Sequence, residues 1–173
     1  MAGLRPGHCY TPLERAYTRK SKYKNKAFIK SIPTIKIAKY DMGDLKKEFT
    51  HRLDLVSKER IQVRHNALEC ARIILVRGIE SQNRPYHLKL RVFPHHVLRE
   101  NKMLTGAGAD RMQTGMQRAF GRSIGTAARM KIDQPIFSMY IDEADIKIAA
   151  DVLKKAIPRL PCKCRIITTK LAK

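Results

Sequence analysis

Gln134-Pro-Ile-Phe-Ser-Met-Tyr-Ile141, followed directly by Asp142-Glu-Ala-Asp-Ile-Lys-Ile-Ala-Ala-Asp-Val-Leu-Lys-Lys-Ala-Ile157 and Pro158, is the stretch from which the fold class is read. Its first eight residues are mostly apolar, aromatic or β-branched, as a strand favours. Asp142 then stands at a cap position with Asp145 three residues on, a short acidic version of the capping box. Ile146, Ala149/Ala150, Leu153 and Ile157 return at helical spacing, and Pro158 ends the helix. Downstream, Cys162 to Thr168 reads as a last strand. Upstream, Tyr86 to Phe93 alternates, with Tyr86, Leu88, Leu90 and Val92 inward, His87, Lys89 and Arg91 outward, and Pro94 closing it. Further back, Ser57 is placed to cap a helix with Glu59 in its first turn. Ile61, Arg64, Ala67/Leu68, Ala71 and Ile74/Leu75 form its stripe, which stops at Gly78. Phe49 to Val56 is a strand with Phe49, His51, Leu53 and Leu55 on one side. Asp41-Met-Gly43-Asp44 reads as a turn, and Ile32 to Ala38 as a short edge strand with Ile35 and Ile37 on one face. Two helices among at least five strands give an α+β class, a mostly antiparallel sheet covered by two main helices. The expected organisation is one domain over 32–170, entered from a basic arm over 1–40 and interrupted by an extended glycine-rich segment over 101–132.

Charge is the unusual feature of the composition. The chain has 173 residues with 36 Lys and Arg against 15 Asp and Glu, a formal charge of +21. A surface so far from neutrality repels itself unless an anionic partner covers it, and nucleic acid is the commonest such partner. A membrane fits less well: the longest apolar run, Ile73 to Val76, is far short of the ~18 residues of a spanning helix. The N-terminus also lacks the apolar core of a signal peptide. Four cysteines, Cys9, Cys70, Cys162 and Cys164, do not form a disulfide framework in such a chain. Cys162 and Cys164 share one face of a strand. A zinc site with His8, Cys9, His95 or His96 is conceivable, but the usual Cys-x2–4-Cys pairs are absent, and small buried thiols are the favoured reading.

The arm carries ten Lys or Arg, one acid (Glu14) and the interleaved rings of Tyr10, Tyr17, Tyr23 and Tyr40. Arg15, Arg19, Lys20, Lys22 and Lys24 are expected to grip phosphates, with Tyr17 and Tyr23 stacking on bases. The segment 101–132 holds five of the nine glycines and six bases, with Asp110 its only acid. Glycines let the backbone approach a nucleic acid closely, and Lys102, Arg111, Arg118, Arg122 and Arg129 supply cations. Arg5, Arg64, His95 and His96 complete the candidate RNA-binding set. Neither a P-loop nor a strand-bound Gly-x-Gly-x-x-Gly occurs. No paired-carboxylate motif appears, and neighbouring histidines such as His95 and His96 more often pack or touch phosphate than catalyse. No catalytic residue, cofactor or metal is therefore expected.

The run Pro94-His-His-Val-Leu-Arg-Glu-Asn-Lys-Met-Leu-Thr-Gly-Ala-Gly-Ala-Asp-Arg-Met-Gln-Thr-Gly-Met-Gln-Arg-Ala-Phe-Gly-Arg-Ser-Ile-Gly-Thr-Ala-Ala-Arg129 resembles the signature of a ribosomal protein family. This is the archaeal and eukaryotic large-subunit family called "ten-e", whose bacterial counterpart is large-subunit protein sixteen. Asn101-Lys-Met-Leu, Gly108-Ala-Asp-Arg, Gln113-Thr-Gly-Met and Ala119-Phe-Gly121 are its specific matches. Arg5-Pro, Cys9-Tyr10 and Ala67-Leu-Glu-x-Ala-Arg72 agree as well, so the likeness covers essentially the whole chain. It implies a non-catalytic α+β protein of the cytoplasmic ribosome, embedded in large-subunit rRNA near the aminoacyl-tRNA corridor and beside neighbouring ribosomal proteins. It also implies that a loop over about Leu104 to Met116, with Gly106, Gly108, Asp110, Arg111, Gln113 and Gly115, points toward tRNA at the peptidyl-transferase region. Eukaryotic relatives commonly carry His-Pro-Phe-His where this chain has Phe93-Pro94-His95-His96 and run further at the C-terminus, so the chain looks archaeal. The alternative class is a non-ribosomal basic RNA-binding or RNA-modifying protein.

Overall fold

Alternating apolar residues build two antiparallel sheets, and the two helices cover them. The structure, a computed structural model, describes residues 5–14, 16, 21–102 and 121–171. In chain order the strands are β1 (Asp41–Gly43), β2 (His51–Ser57), β3 (Gln62–Arg64), β4 (His87–Leu90), β5 (His96–Glu100), β6 (Arg122–Arg129), β7 (Pro135–Ile141) and β8 (Cys164–Lys170). The helices are α1 (His65–Glu80) and α2 (Ile146–Ala156). One sheet has the order β1-β4-β7-β2-β8 and the other β3-β6-β5. Every pairing is antiparallel, as an α+β class with short connections requires.

The larger sheet is centred on β7 and β2. Leu53 faces Met139 and Leu55 faces Phe137, and all four are fully buried. The register shifts after Leu55, so that Val56 pairs with Pro135, which has no N–H to give the ladder. On the other face of β2, Ser138 Oγ donates to Asp54 at 2.6 Å and Arg52 pairs with the same carboxylate at 3.0 Å. Both faces of β2 are thus largely covered.

Leu68, Ala71, Leu75 and Ile79 of α1 and Ala149, Val152, Leu153 and Ala156 of α2 are the buried stripes. The helices meet where Gly78 faces Val152: a Cβ at residue 78 would lie 3.0 Å from Val152 Cγ1. Gly78 therefore permits close helix packing inside α1; it does not end the helix, which continues to Glu80.

Several expected boundaries are corrected by pairings that lie far apart in sequence. Ser57 caps no helix. It is the fully buried end of β2, its hydroxyl bonded to the backbone of Glu59, and β3 intervenes before α1 begins at His65. Residues 32–38 join no sheet. The amide of Lys36 donates to His65 Nδ1 and that of Ala38 to Glu69, so their hydrogen bonds go to α1 side chains. Ile37 is buried and Ile35 partly so, and the inward face was correctly placed. The turn expected at Asp41–Asp44 is instead strand β1, paired to β4. His96 opens strand β5, and the last third of the glycine-rich segment is strand β6, with Ala127, Ala128 and Met130 in the core. Asp142 is separated from α2 by a 3-10 turn over Glu143–Asp145, and its carboxylate pairs with Lys47 at 2.7 Å.

Candidate nucleic-acid interface

The small sheet carries the arm and most of the described candidate residues. Because β3 is an edge strand of the small sheet, its outer side is free to hold the N-terminal segment. Gln62 N–H donates to the carbonyl of Thr11 at 3.1 Å and Gln62 Nε2 to that of Tyr10 at 2.8 Å. Arg64, at the β3–α1 junction, donates from Nη1 to the Arg5 carbonyl at 3.0 Å and lays its guanidinium over the Tyr10 ring at 5.1 Å. Arg5 pairs with Glu100 of β5, and Tyr10 Oη reaches the same carboxylate at 3.3 Å. Burial, then the charge of Glu100 and the bond to it, push the Tyr10 hydroxyl above its ordinary pKa. Arg129 Nη2 donates to the Glu14 carbonyl. Arg5, Arg64 and Arg129 therefore pin the arm to the sheet with part of their donor set.

Two clefts mark opposite ends of β6. At its C-terminal end, Arg91, Phe93, His95, His96, Arg129 and Gln134 line an open cleft of about 370 Å³. Phe93 is 43% exposed, stacked on Tyr40 at 5.6 Å and tilted against His95 at 4.5 Å. An exposed ring among arginines offers both elements of single-strand recognition, stacking and charge. At the N-terminal end, Phe28, Lys30, Arg99 and Arg122 line a cleft of about 590 Å³. The glycine-rich segment leaves the described fold at Lys102 and re-enters it at Gly121, beside this second cleft.

Of the remaining candidates, Lys22, Tyr23 and Lys24 are exposed, and Lys26 Nζ sits over the Tyr23 ring at 5.4 Å. Lys102 is exposed at the end of β5. Arg15, Tyr17, Arg19, Lys20, Gly106, Gly108, Asp110, Arg111, Gln113, Gly115 and Arg118 lie outside the described residues. The first cleft thus unites His95, His96 and Arg129 but adds Arg91, Phe93 and Gln134, which were not singled out as site residues. Arg91 was legible as an outward residue of an alternating strand; only the turn at Pro94 brings it beside His95. Among the described residues, no three His, Cys, Asp or Glu side chains converge as metal ligands, and no helix is long and apolar enough to cross a membrane.

Under the sheet, His65 locks β6 to α1. It is 5% exposed, and its Nδ1 accepts from Lys36 N–H at 3.4 Å and lies 3.0 Å from Thr126 Oγ1. Burial, then the charges of Lys36 and Arg64, hold its pKa below the ordinary histidine value. The unfolded chain therefore binds more protons between that depressed value and about 6.5, so stability rises with pH through this window. Acidification from about pH 6.5 downward is expected to destabilise the fold, and His65→Gln to flatten that slope. Urea unfolding midpoints measured across pH would show both.

A small α+β domain that spends its arginines on pinning a basic arm, and opens cationic clefts with an exposed ring beside it, has the build of a structural RNA-binding protein. The profile of the ribosomal protein L16p/L10e family matches residues 12–167. The chain is 42% identical over 166 residues, 94% of each chain, to the large ribosomal subunit protein uL16 of Methanospirillum hungatei. The protein of that name from Staphylothermus marinus is 41% identical over 167 residues, covering 95% of this chain and 92% of the relative. The one from Methanococcus maripaludis is 41% identical over 170 residues, covering 96% and 95%. The chain belongs to the ribosomal protein L16p/L10e family, whose members are structural and not catalytic.

Proposed function

We propose that this chain is a structural constituent of the large ribosomal subunit, working in the cytoplasm within the ribosome. It binds large-subunit rRNA along the small sheet and its docked arm, near the aminoacyl-tRNA corridor and in contact with neighbouring ribosomal proteins. The observation that carries this reading is the pair of cationic clefts at the two ends of β6, in a chain with 21 more basic than acidic residues. Seven residue steps of β6 span roughly 23 Å, about the axial length of six or seven phosphates on one strand. Arg91 and Arg129 at one end and Lys30 and Arg122 at the other supply charge, while Phe93 and Phe28 supply stacking faces.

In this reading the loop over about Leu104 to Met116 helps position tRNA near the peptidyl-transferase region. Its support is the family membership and the exit of the segment from the cationic end of the small sheet. Shortening Thr105–Gly115 is expected to leave the domain folded and incorporated into subunits while slowing tRNA accommodation roughly tenfold, as misplacement of a bound partner does. Circular dichroism, subunit sedimentation and single-turnover accommodation would read the three effects separately. Loss of folding would place the loop in the core, and unchanged accommodation would remove the positioning role.

A further inference from the structure

We propose that Cys162 and Cys164 form a reversible dithiol–disulfide site that is oxidised by hydroperoxides. The two sulfurs lie 3.5 Å apart, and Cys164 Sγ also donates to the Cys162 carbonyl at 3.6 Å. They share one side because the intervening Lys163 is turned outward, its carbonyl fixed by the amide of Lys58 at 2.9 Å. Cys164 is the first residue of β8, opposite Ser57 in the β2 register. The sulfurs must close by about 1.5 Å to reach disulfide bonding distance.

The surroundings divide the roles. The contact with the Cys164 sulfur holds the Cys162 thiol below its ordinary pKa despite burial. Cys164 is pushed the other way, by its bond to Cys162 and by burial. Cys162 is therefore the attacking sulfur, since the thiolate is the nucleophile. It is 8% exposed, which admits a molecule the size of hydrogen peroxide more readily than a bulky disulfide. The Cys162 thiolate attacks one peroxide oxygen, breaking the O–O bond. This gives a sulfenic acid and hydroxide, which takes up the proton that Cys162 released. Cys164 then attacks the sulfenic sulfur; its thiol proton leaves with the displaced hydroxide as water and the S–S bond closes. The two thiols lose two electrons and the peroxide gains them, yielding two waters in all. Cys9 and Cys70 are free and exposed, on a 3-10 turn and on α1, and serve as internal references.

The test treats the full chain bound to rRNA with hydrogen peroxide, blocks remaining thiols, cleaves after arginines and weighs the Leu160–Arg165 peptide. The expected product has lost two hydrogens, carries no blocking group and is restored by dithiothreitol. Cys164→Ser is expected to stop at a sulfenic acid on Cys162 that dimedone captures. Cys162→Ser is expected to slow oxidation of Cys164 about tenfold, because the remaining thiol is the poorer nucleophile. A peptide that stays dithiol while Cys9 and Cys70 oxidise would overturn the proposal, as would linkage of Cys162 to Cys9, Cys70 or a second chain. The wild-type measurement decides this whether or not either variant folds.

Discussion

Binding of the chain to an rRNA fragment from its own subunit is expected to weaken about a thousandfold between 50 and 200 mM monovalent salt. The reason is counterion release: each phosphate neutralised adds roughly 0.7 to 0.9 to the slope of log affinity against log salt. Several of the described acids are already paired within the chain, Glu100 with Arg5, Asp54 with Arg52, Glu69 with Arg72 and Asp142 with Lys47. Even if every acid paired, 36 − 15 = 21 basic residues would remain for a partner. If seven or more of them meet phosphate, the slope magnitude is about 5 or greater, and a fourfold rise in salt then gives the thousandfold loss. Arg91→Gln removes one cation from the first cleft and is expected to lower the slope by about 1. Filter binding across a salt series measures both. A nearly flat dependence would show that the clefts do not bind RNA by their charge.

Gly43→Ala is expected to destabilise the fold by about 3 kcal/mol or more, among the largest effects of any single methyl group in the chain. Gly43 has a φ of +89°, a conformation that costs an L side chain about 1–2 kcal/mol. The new Cβ would also stand 2.1 Å from the Tyr86 carbonyl oxygen, which is backbone and cannot rotate aside. That oxygen accepts the Asp44 amide at 2.8 Å, so displacing β1 breaks the bond and loosens Met42, which is buried against Leu88 across the ladder. A lowered urea midpoint at unchanged slope would confirm a native-state effect. A stability within about 0.5 kcal/mol of the parent would mean that β1 can shift freely.

The amphipathic elements were legible because their burial is periodic along the chain. Leu68, Ala71 and Leu75 are the buried stripe of α1, and Ala149 and Leu153 that of α2, where helical spacing places them. Leu53 and Leu55, and Leu88 and Leu90, are buried at strand spacing in the same way. The small sheet was not legible. β6 reads Arg122-Ser-Ile-Gly-Thr-Ala-Ala-Arg129, poor in the bulky apolar residues that announce a strand, because its inner positions face the crowded start of α1. At Gly125 a Cβ would stand 3.4 Å from His65 Nε2, so small residues fit there for a reason visible only across 60 positions of sequence.

The candidate site divides along the same line. Charge, stacking residues and the family signature are properties of the chain itself, and they sufficed for an α+β ribosomal protein with a basic arm. Which cations come together in a shared cleft was decided by tertiary structure. Arg64, read as part of a helix stripe, spends a donor on the Arg5 carbonyl and its plane on Tyr10. Arg91, Phe93 and Arg129 become one cleft only when β4, β5 and β6 are assembled. Local periodicity is set by backbone geometry and can be read residue by residue, whereas the pairing of distant strands follows from packing contacts that no local pattern encodes.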